Sequence, residues 1–471
     1  MFLRLLGLVY LAAFASLGVQ IVGLVGADGI APVAPGLRAL AETAGPARFH
    51  ALPTLLWLDA SDGALRALCW AGAGLAILLI CDVAPALCLI LLWAAYLSLV
   101  TVGQDFLAFQ WDSLLLEAGF LAVFVAPWRL RPRLAQPGEA PAVFRWLLWF
   151  LLFRLVFSSG LVKLLSGDPA WRGLTALTFH YETQPLPTWP AFYAHHLPEW
   201  FHRFSAVVMF AVELIAPFLI PGPRRVRQLG GALMVALQAL IALTGNYAYF
   251  NLLTVALCLF LFDDAALAPI LRRLPLRDPA RDVYLPRRPA VAAAALLALL
   301  GLVPMVRLLD RRIAALPLLR WASGWTQPFH VANGYGLFAV MTRERPEIAV
   351  EGSADGETWR AYGFRFKPGD LGRRPAWVAP HQPRLDWQMW FAALGECRDS
   401  PWLYGLFQRL LEGSPPVLGL LADNPFPERP PRYVRAVVYD YRFASPEEHA
   451  RAGRWWRRGE PRLFCPPVFF E

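Results

Sequence analysis

Nine stretches of this chain are too apolar and too long to be core segments of a soluble domain. They run approximately Leu5–Gly26, Leu65–Val83, Ala84–Gly103, Asp105–Pro127, Val143–Leu165, Phe204–Ile220, Gly230–Thr244, Tyr247–Phe262 and Val291–Leu308. Crossing the hydrocarbon of a bilayer takes about 17 to 25 residues of helix, so each is a candidate span. Only a tight turn near Asp82 and Pro85 parts the second from the third, which leaves a re-entrant pair open there. The first is longer than the roughly 7 to 15 apolar residues of a leader, which favours an anchor. The expected fold class is an α-helical polytopic membrane bundle over residues 1–310, followed by a soluble, β-rich C-terminal domain over 311–471, sandwich-like or α+β.

Composition agrees. Charged residues make up 17% of the chain, against about a quarter in soluble proteins. The net charge of +9 comes from arginines lying mostly in short loops between apolar runs. That is how a membrane protein orients itself, and no nucleic-acid-binding motif accompanies them. The partner expected for this surface is the lipid bilayer, not nucleic acid. Arginine clusters occur at Arg129, Arg131 and Arg133, at Arg224, Arg225 and Arg227, and at Arg272, Arg273, Arg287 and Arg288. With the N-terminus cytoplasmic, nine spans put all three on the cytoplasmic side and deliver the C-terminal domain outside. The preference for arginine, with lysine only at Lys163 and Lys367, suggests a GC-rich, bacterial coding sequence.

Charges inside spans are costly and turn toward a bundle interior or cavity. The fourth span carries Asp105, Gln110, Asp112 and Glu117. Asp105 and Asp112 share one helical face, Gln110 and Glu117 another roughly 140° away. A helix polar on two sides belongs at the bundle centre. Arg154 in the fifth span lies at about the depth of Glu117, so the two can pair. Glu213 and Gln238 also fall near mid-membrane. Three acids (Asp112, Glu117, Glu213) against one arginine leave an excess of negative charge, so some acid is expected protonated or bonded to other donors. Such a network either fixes helix packing or lines a polar cavity.

Between the fifth and sixth spans lies a segment rich in His, Trp and Pro, with half of the chain's 8 histidines. Its candidate residues are Asp168, Trp171, His180, Tyr181, Glu182, His195 and His196. Their spacing fits no zinc-ligand pattern, so no metal is expected, and interfacial anchoring accounts for the composition. Lys163 either snorkels to the interface or serves as a lysine whose proton affinity burial lowers. Were the chain an enzyme, Lys163, His180 and His195 would be the weak catalytic candidates. No hydrolase, zincin, P-loop or dinucleotide fingerprint occurs, and no cofactor is expected.

The runs Gln110–Phe120, Gly167–Pro169, His180–Pro185 and His195–Pro198 resemble the membrane half of the lipase maturation factor family, as a bacterial-type member. Asn333–Phe338, Arg343–Pro346, Ala379–Phe391 and Asn424–Pro427 resemble the family's C-terminal domain. The resemblance implies a chaperone-like factor assisting the folding and assembly of secreted lipases, from the endoplasmic reticulum membrane in eukaryotic relatives and the inner membrane if bacterial. The family's membrane half is also distantly similar to the vitamin K-dependent carboxylase group, which implies, as an alternative, a membrane enzyme acting on lipid or protein; the polar cavity supports a further alternative, a lipid-binding or transport protein. Ala170 stands where eukaryotic members are expected to carry cysteine, which weakens any redox partnership through this loop.

In the C-terminal region, Asp355-Gly356 between Ile348–Glu351 and Trp359–Phe366 marks a hairpin. Tyr433–Phe443 alternates as a strand, and Arg384–Leu394 and Pro401–Leu411 look helical. Cys397 and Cys465 can pair if the domain is oxidised. The other four cysteines sit in apolar runs, and no C-x-x-C occurs. His381, Arg384, Asp386, Trp387 and Trp390 form the candidate client-binding surface, since aromatic and arginine clusters anchor interfaces. The same cluster reads equally as core, or as a dock onto the protein's own membrane half.

Overall fold

The computed structural model describes residues 1–130, 141–271, 287–314 and 316–469. Arg131, Arg133, Arg272 and Arg273 of the arginine clusters lie outside them. The apolar runs fold as nine helices among the described residues: α1 (Phe2–Gly18), α2 (Asp62–Ile80), α3 (Pro85–Val102), α4 (Gln110–Val125), α5 (Ala142–Leu165), α6 (Glu199–Leu214), α7 (Arg224–Thr244), α8 (Phe250–Cys258) and α9 (Arg287–Leu309). Six are long and apolar enough to cross a membrane, counting α6 with the 3-10 turn Ala216–Leu219 that continues it; α1, α4 and α8 are shorter.

Each shortening has a polar cause. The first run breaks after Gly18, where the Gln20 amide turns back onto the Ser16 carbonyl at 2.6 Å. The chain restarts only as the five-residue helix Ile21–Val25. The fourth opens as a 3-10 turn, Gln104–Leu107, with Asp105 exposed, so Asp105 does not share a helical face with Asp112 as the spacing suggested. The eighth begins at Phe250 because Asn246 is drawn into contacts described below.

Helix α4 packs between α3 and α5, and its Trp111, Asp112, Leu114 to Ala118, Leu121 and Ala122 are buried. Helices α1 and α2 approach closely because Gly72 leaves room for Phe14: a Cβ there would lie 2.4 Å from the ring. Such close approach is a usual device where apolar packing alone holds helices in lipid.

The C-terminal domain is built on one five-stranded antiparallel sheet. Strands β1 (Arg345–Ser353) and β3 (Tyr433–Phe443) pair along their length, Arg345 opposite Tyr441 and Ser353 opposite Tyr433. β2 (Arg360–Ala361) extends the β1 side. β4 (Trp456–Arg458) and β5 (Arg462–Phe469) share the far edge of β3. Only two residues of the run Trp359–Phe366 join the sheet, since beyond Tyr362 the chain leaves to bridge Asp423 through Gly363. Helix α10 (Arg384–Ala393) packs on β1 and α11 (Trp402–Leu411) on β3. A disulfide joins Cys397 to Cys465. The domain sits against the bundle end formed by Gly18, Val102, Leu165 and Thr244, and that contact is where the polar residues gather.

Candidate functional site

Polar side chains that would be stranded in an apolar bundle meet partners from the C-terminal domain. Helix α10 carries Arg384 into the bundle, where both its amino groups close on Asp112 at 2.8 and 2.9 Å. Neither side chain is more than 1% exposed. The Tyr249 hydroxyl donates to Asp112 at 2.7 Å, and the Tyr96 hydroxyl lies 2.6 Å from that of Tyr249. The Phe106 carbonyl accepts from Arg384 at 2.6 Å, and the Arg384 backbone N–H donates to the Gln20 side chain. Lone pairs and protons are thus largely matched, as a charge pair removed from water requires.

Glu117 on α4 pairs with Arg154 on α5. It also accepts from the backbone and side-chain nitrogens of Asn333, at 2.9 and 3.0 Å, and from the Tyr335 hydroxyl at 2.7 Å. Gln110 holds Gly336 through a reciprocal pair of bonds near 3 Å. Gly336 takes φ +152°, and a Cβ there would meet Val162 at 2.6 Å, so the close approach to α5 requires glycine.

Lys163 does not snorkel. It is buried, and its ammonium contacts both oxygens of Glu213 on α6 at 2.9 and 3.0 Å. The expected charge excess is therefore corrected: Asp112, Glu117 and Glu213 meet Arg384, Arg154 and Lys163, one cation for each acid. Lys163 and Glu213 line a hollow of about 620 Å³ between α5, α6, α7 and α8. Gln238 lines it too, accepting from Asn251 at 2.9 Å.

The loop between α5 and α6 clasps the same domain. Asp168 caps the turn Pro169–Arg172 and accepts from the Met341 backbone, and Trp171 donates to the Phe338 carbonyl at 2.9 Å. Glu182 accepts from the Phe443 backbone at 3.0 Å, with His195 and Arg442 each 3.6 Å away. Burial raises its proton affinity above the usual carboxylate range. Burial, with Lys163 nearby, pushes His180 down to about 4; burial, with His196, His202 and Arg442, does the same to His195. Both imidazoles are neutral near pH 7. Tyr181 is partly buried against the β3–β4 aromatic cluster, and His196 is bonded to the Phe192 carbonyl at 2.7 Å. Among the described residues no three His, Cys, Asp or Glu side chains are grouped to hold a metal ion.

The candidate client-binding residues face inward. Arg384, Asp386, Trp387 and Trp390 are buried and His381 half-buried. Trp387 packs on Trp111 with ring centres 4.8 Å apart, Trp390 donates to the Thr183 carbonyl, and Asp386 accepts from the backbones of Phe366 and Lys367. His381 meets Ser16 at 2.9 Å. An arginine–tryptophan cluster suits an internal interface as well as an external one, and here it joins the two halves of one chain.

Two contributors lie outside the candidate site residues, although Arg345 falls within the Arg343–Pro346 run. Arg345 on β1 is fully buried and donates to the carbonyls of Glu182, Gln184 and Pro185 while pairing with Glu347 at 2.7 Å. Asn246, between α7 and α8, donates to Ala376 and accepts from Val378 and Ala379. A polar Gly-Asn-Tyr between two apolar runs was the available hint.

Both halves match known proteins. A model for the lipase maturation factor transmembrane domain matches residues 1–269, and one for the lipase maturation factor C-terminal domain matches residues 331–466. Lipase maturation factor 2 of Rattus norvegicus is 40% identical, over 99% of this chain and 82% of the relative. The Homo sapiens protein of that name is 39% identical over the same shares. Lipase maturation factor 1 of Homo sapiens is 37% identical, over 90% of this chain and 78% of its own. No solved structure matches.

Proposed function

We propose that this chain, which belongs to the lipase maturation factor family, is a multi-pass membrane protein that assists an exported lipase to its active fold. The observation that carries the reading is the bonding of the C-terminal domain to the bundle through Asp112–Arg384 and Glu117–Asn333. It holds the domain in one attitude to the membrane, as a platform on which a client is received.

The N-terminus is cytoplasmic in this reading, and the C-terminal domain faces the lumen or periplasm. The positive-inside count supports that orientation, as does a disulfide in the C-terminal domain, since disulfides persist in oxidising compartments. With the inward cluster occupied, the client meets another part of the domain's surface. There Leu394, Tyr404 and Leu463 are exposed around a hollow of about 520 Å³ beside the disulfide. Exposed apolar groups so gathered mark protein-binding surfaces.

The test is deletion of the gene, followed by comparison of secreted lipase activity with secreted lipase mass. Specific activity falls if the protein matures the enzyme. Equal specific activity in both strains overturns the role.

A further inference from the structure

A third hollow, of about 620 Å³, opens where α9 leaves the bundle. Its lining includes Arg154, Arg307 and Arg320, the backbone from Asn333 to Gly336, and no carboxylate. Arg154 is committed to Glu117. The side chains of Arg307 and Arg320 are exposed, and neither has an ion-pair or hydrogen-bond partner among the described residues. Two unmatched guanidiniums beside a third suit an oxyanion.

The surroundings say which oxyanion. The helix Pro317–Thr326, which carries Arg320, turns Leu318, Trp321 and Trp325 outward, 71%, 62% and 55% exposed. Spaced three and four residues apart, they form one apolar face, with Arg320 off to its side. His50 fixes the helix by meeting the Trp325 carbonyl at 3.1 Å. Below it, α9 exposes Leu296 and Leu299. Tryptophans level with arginines at the mouth of an apolar helix are the arrangement of a membrane interface.

We propose that this hollow holds the phosphate of an anionic phospholipid from the leaflet on the C-terminal domain's side. Arg307 and Arg320 bond the phosphate, the Pro317–Thr326 helix lies in the headgroup layer, and the acyl chains run along α9. The site rests on the membrane placement and not on the maturation role.

Native mass spectrometry of the full chain, titrated in detergent with phosphatidylglycerol or phosphatidylcholine of the same chains, tests it. Phosphatidylglycerol is expected to bind more tightly. Arg307→Gln with Arg320→Gln weakens it by about fivefold for each arginine, roughly thirtyfold together, and weakens phosphatidylcholine less, because the choline ammonium already offsets the charge of its phosphate. Should the double variant fail to fold, Arg320→Gln alone, on the surface helix, decides with its fivefold loss. Equal binding of the two lipids, unchanged phosphatidylglycerol binding in the variants, or displacement of the lipid by millimolar inorganic phosphate overturns the proposal.

Discussion

Arg384 of the C-terminal domain closes both amino groups on Asp112 in the membrane bundle, with neither side chain reaching solvent. Removing one partner strands the other. Arg384→Met is expected to destabilise the folded protein by about 3–5 kcal/mol and to expose the junction near Leu316 to protease. Asp112→Leu with Arg384→Met is expected to be much milder than the sum of the singles. Thermal unfolding and limited proteolysis of the purified full chain read both.

Lys163 and Glu213 make the same kind of pair across α5 and α6. Lys163→Met is expected to cost about 3 kcal/mol or more, and adding Glu213→Gln to recover at least half of it. A snorkelling lysine would show neither effect, so a double-mutant cycle of melting midpoints separates the two.

Acid should loosen the loop between α5 and α6. A histidine held near 4 in the folded protein takes up its proton more readily when unfolded, so stability is lost as pH falls from 6.5 toward about 4. At pH 5 the loss is about 2 kcal/mol for His180, and less for His195, whose side chain is 21% exposed. Glu182 opposes this, since its raised proton affinity favours the folded state as pH drops toward its ordinary value of 4.5. Melting midpoints at pH 7.5 and 5 should differ in wild type. The difference should shrink in a His180→Gln, His195→Gln variant.

The disulfide closes a loop of 68 residues, for which chain entropy gives about 4 kcal/mol. Cys397→Ser with Cys465→Ser is expected to lower the stability of the C-terminal domain by that order. Non-reducing peptide mapping of the native chain should recover the Cys397–Cys465 pair, and two free thiols there would refute it.

Legibility from sequence followed distance along the chain. Arg154 and Glu117 were matched by counting turns down two adjacent antiparallel helices, because depth is a local property. The same count could not pair Lys163 with Glu213. Lys163 lies near the end of α5, but Glu213 lies fourteen residues into α6, so α6 rises roughly 20 Å beyond its neighbour. Arg384 and Asp112 are 272 residues apart and on different domains, and no periodicity relates them. The strand Tyr433–Phe443 and the helices at 384 and 402 were readable from alternation and spacing. Which face of the arginine–tryptophan cluster turned inward depended on those long-range partners.

The spacing of that pair also bears on how the molecule is made. A bundle emerging from the ribosome holds Asp112 without its counter-charge until residue 384 has been added, roughly 15–50 s later at ordinary synthesis rates. Through that interval the carboxylate must stay wet, with its helix loosely seated. Translation of the last third therefore completes the membrane half, and a chain cut short upstream of Arg384 would offer quality-control proteases an unfinished bundle.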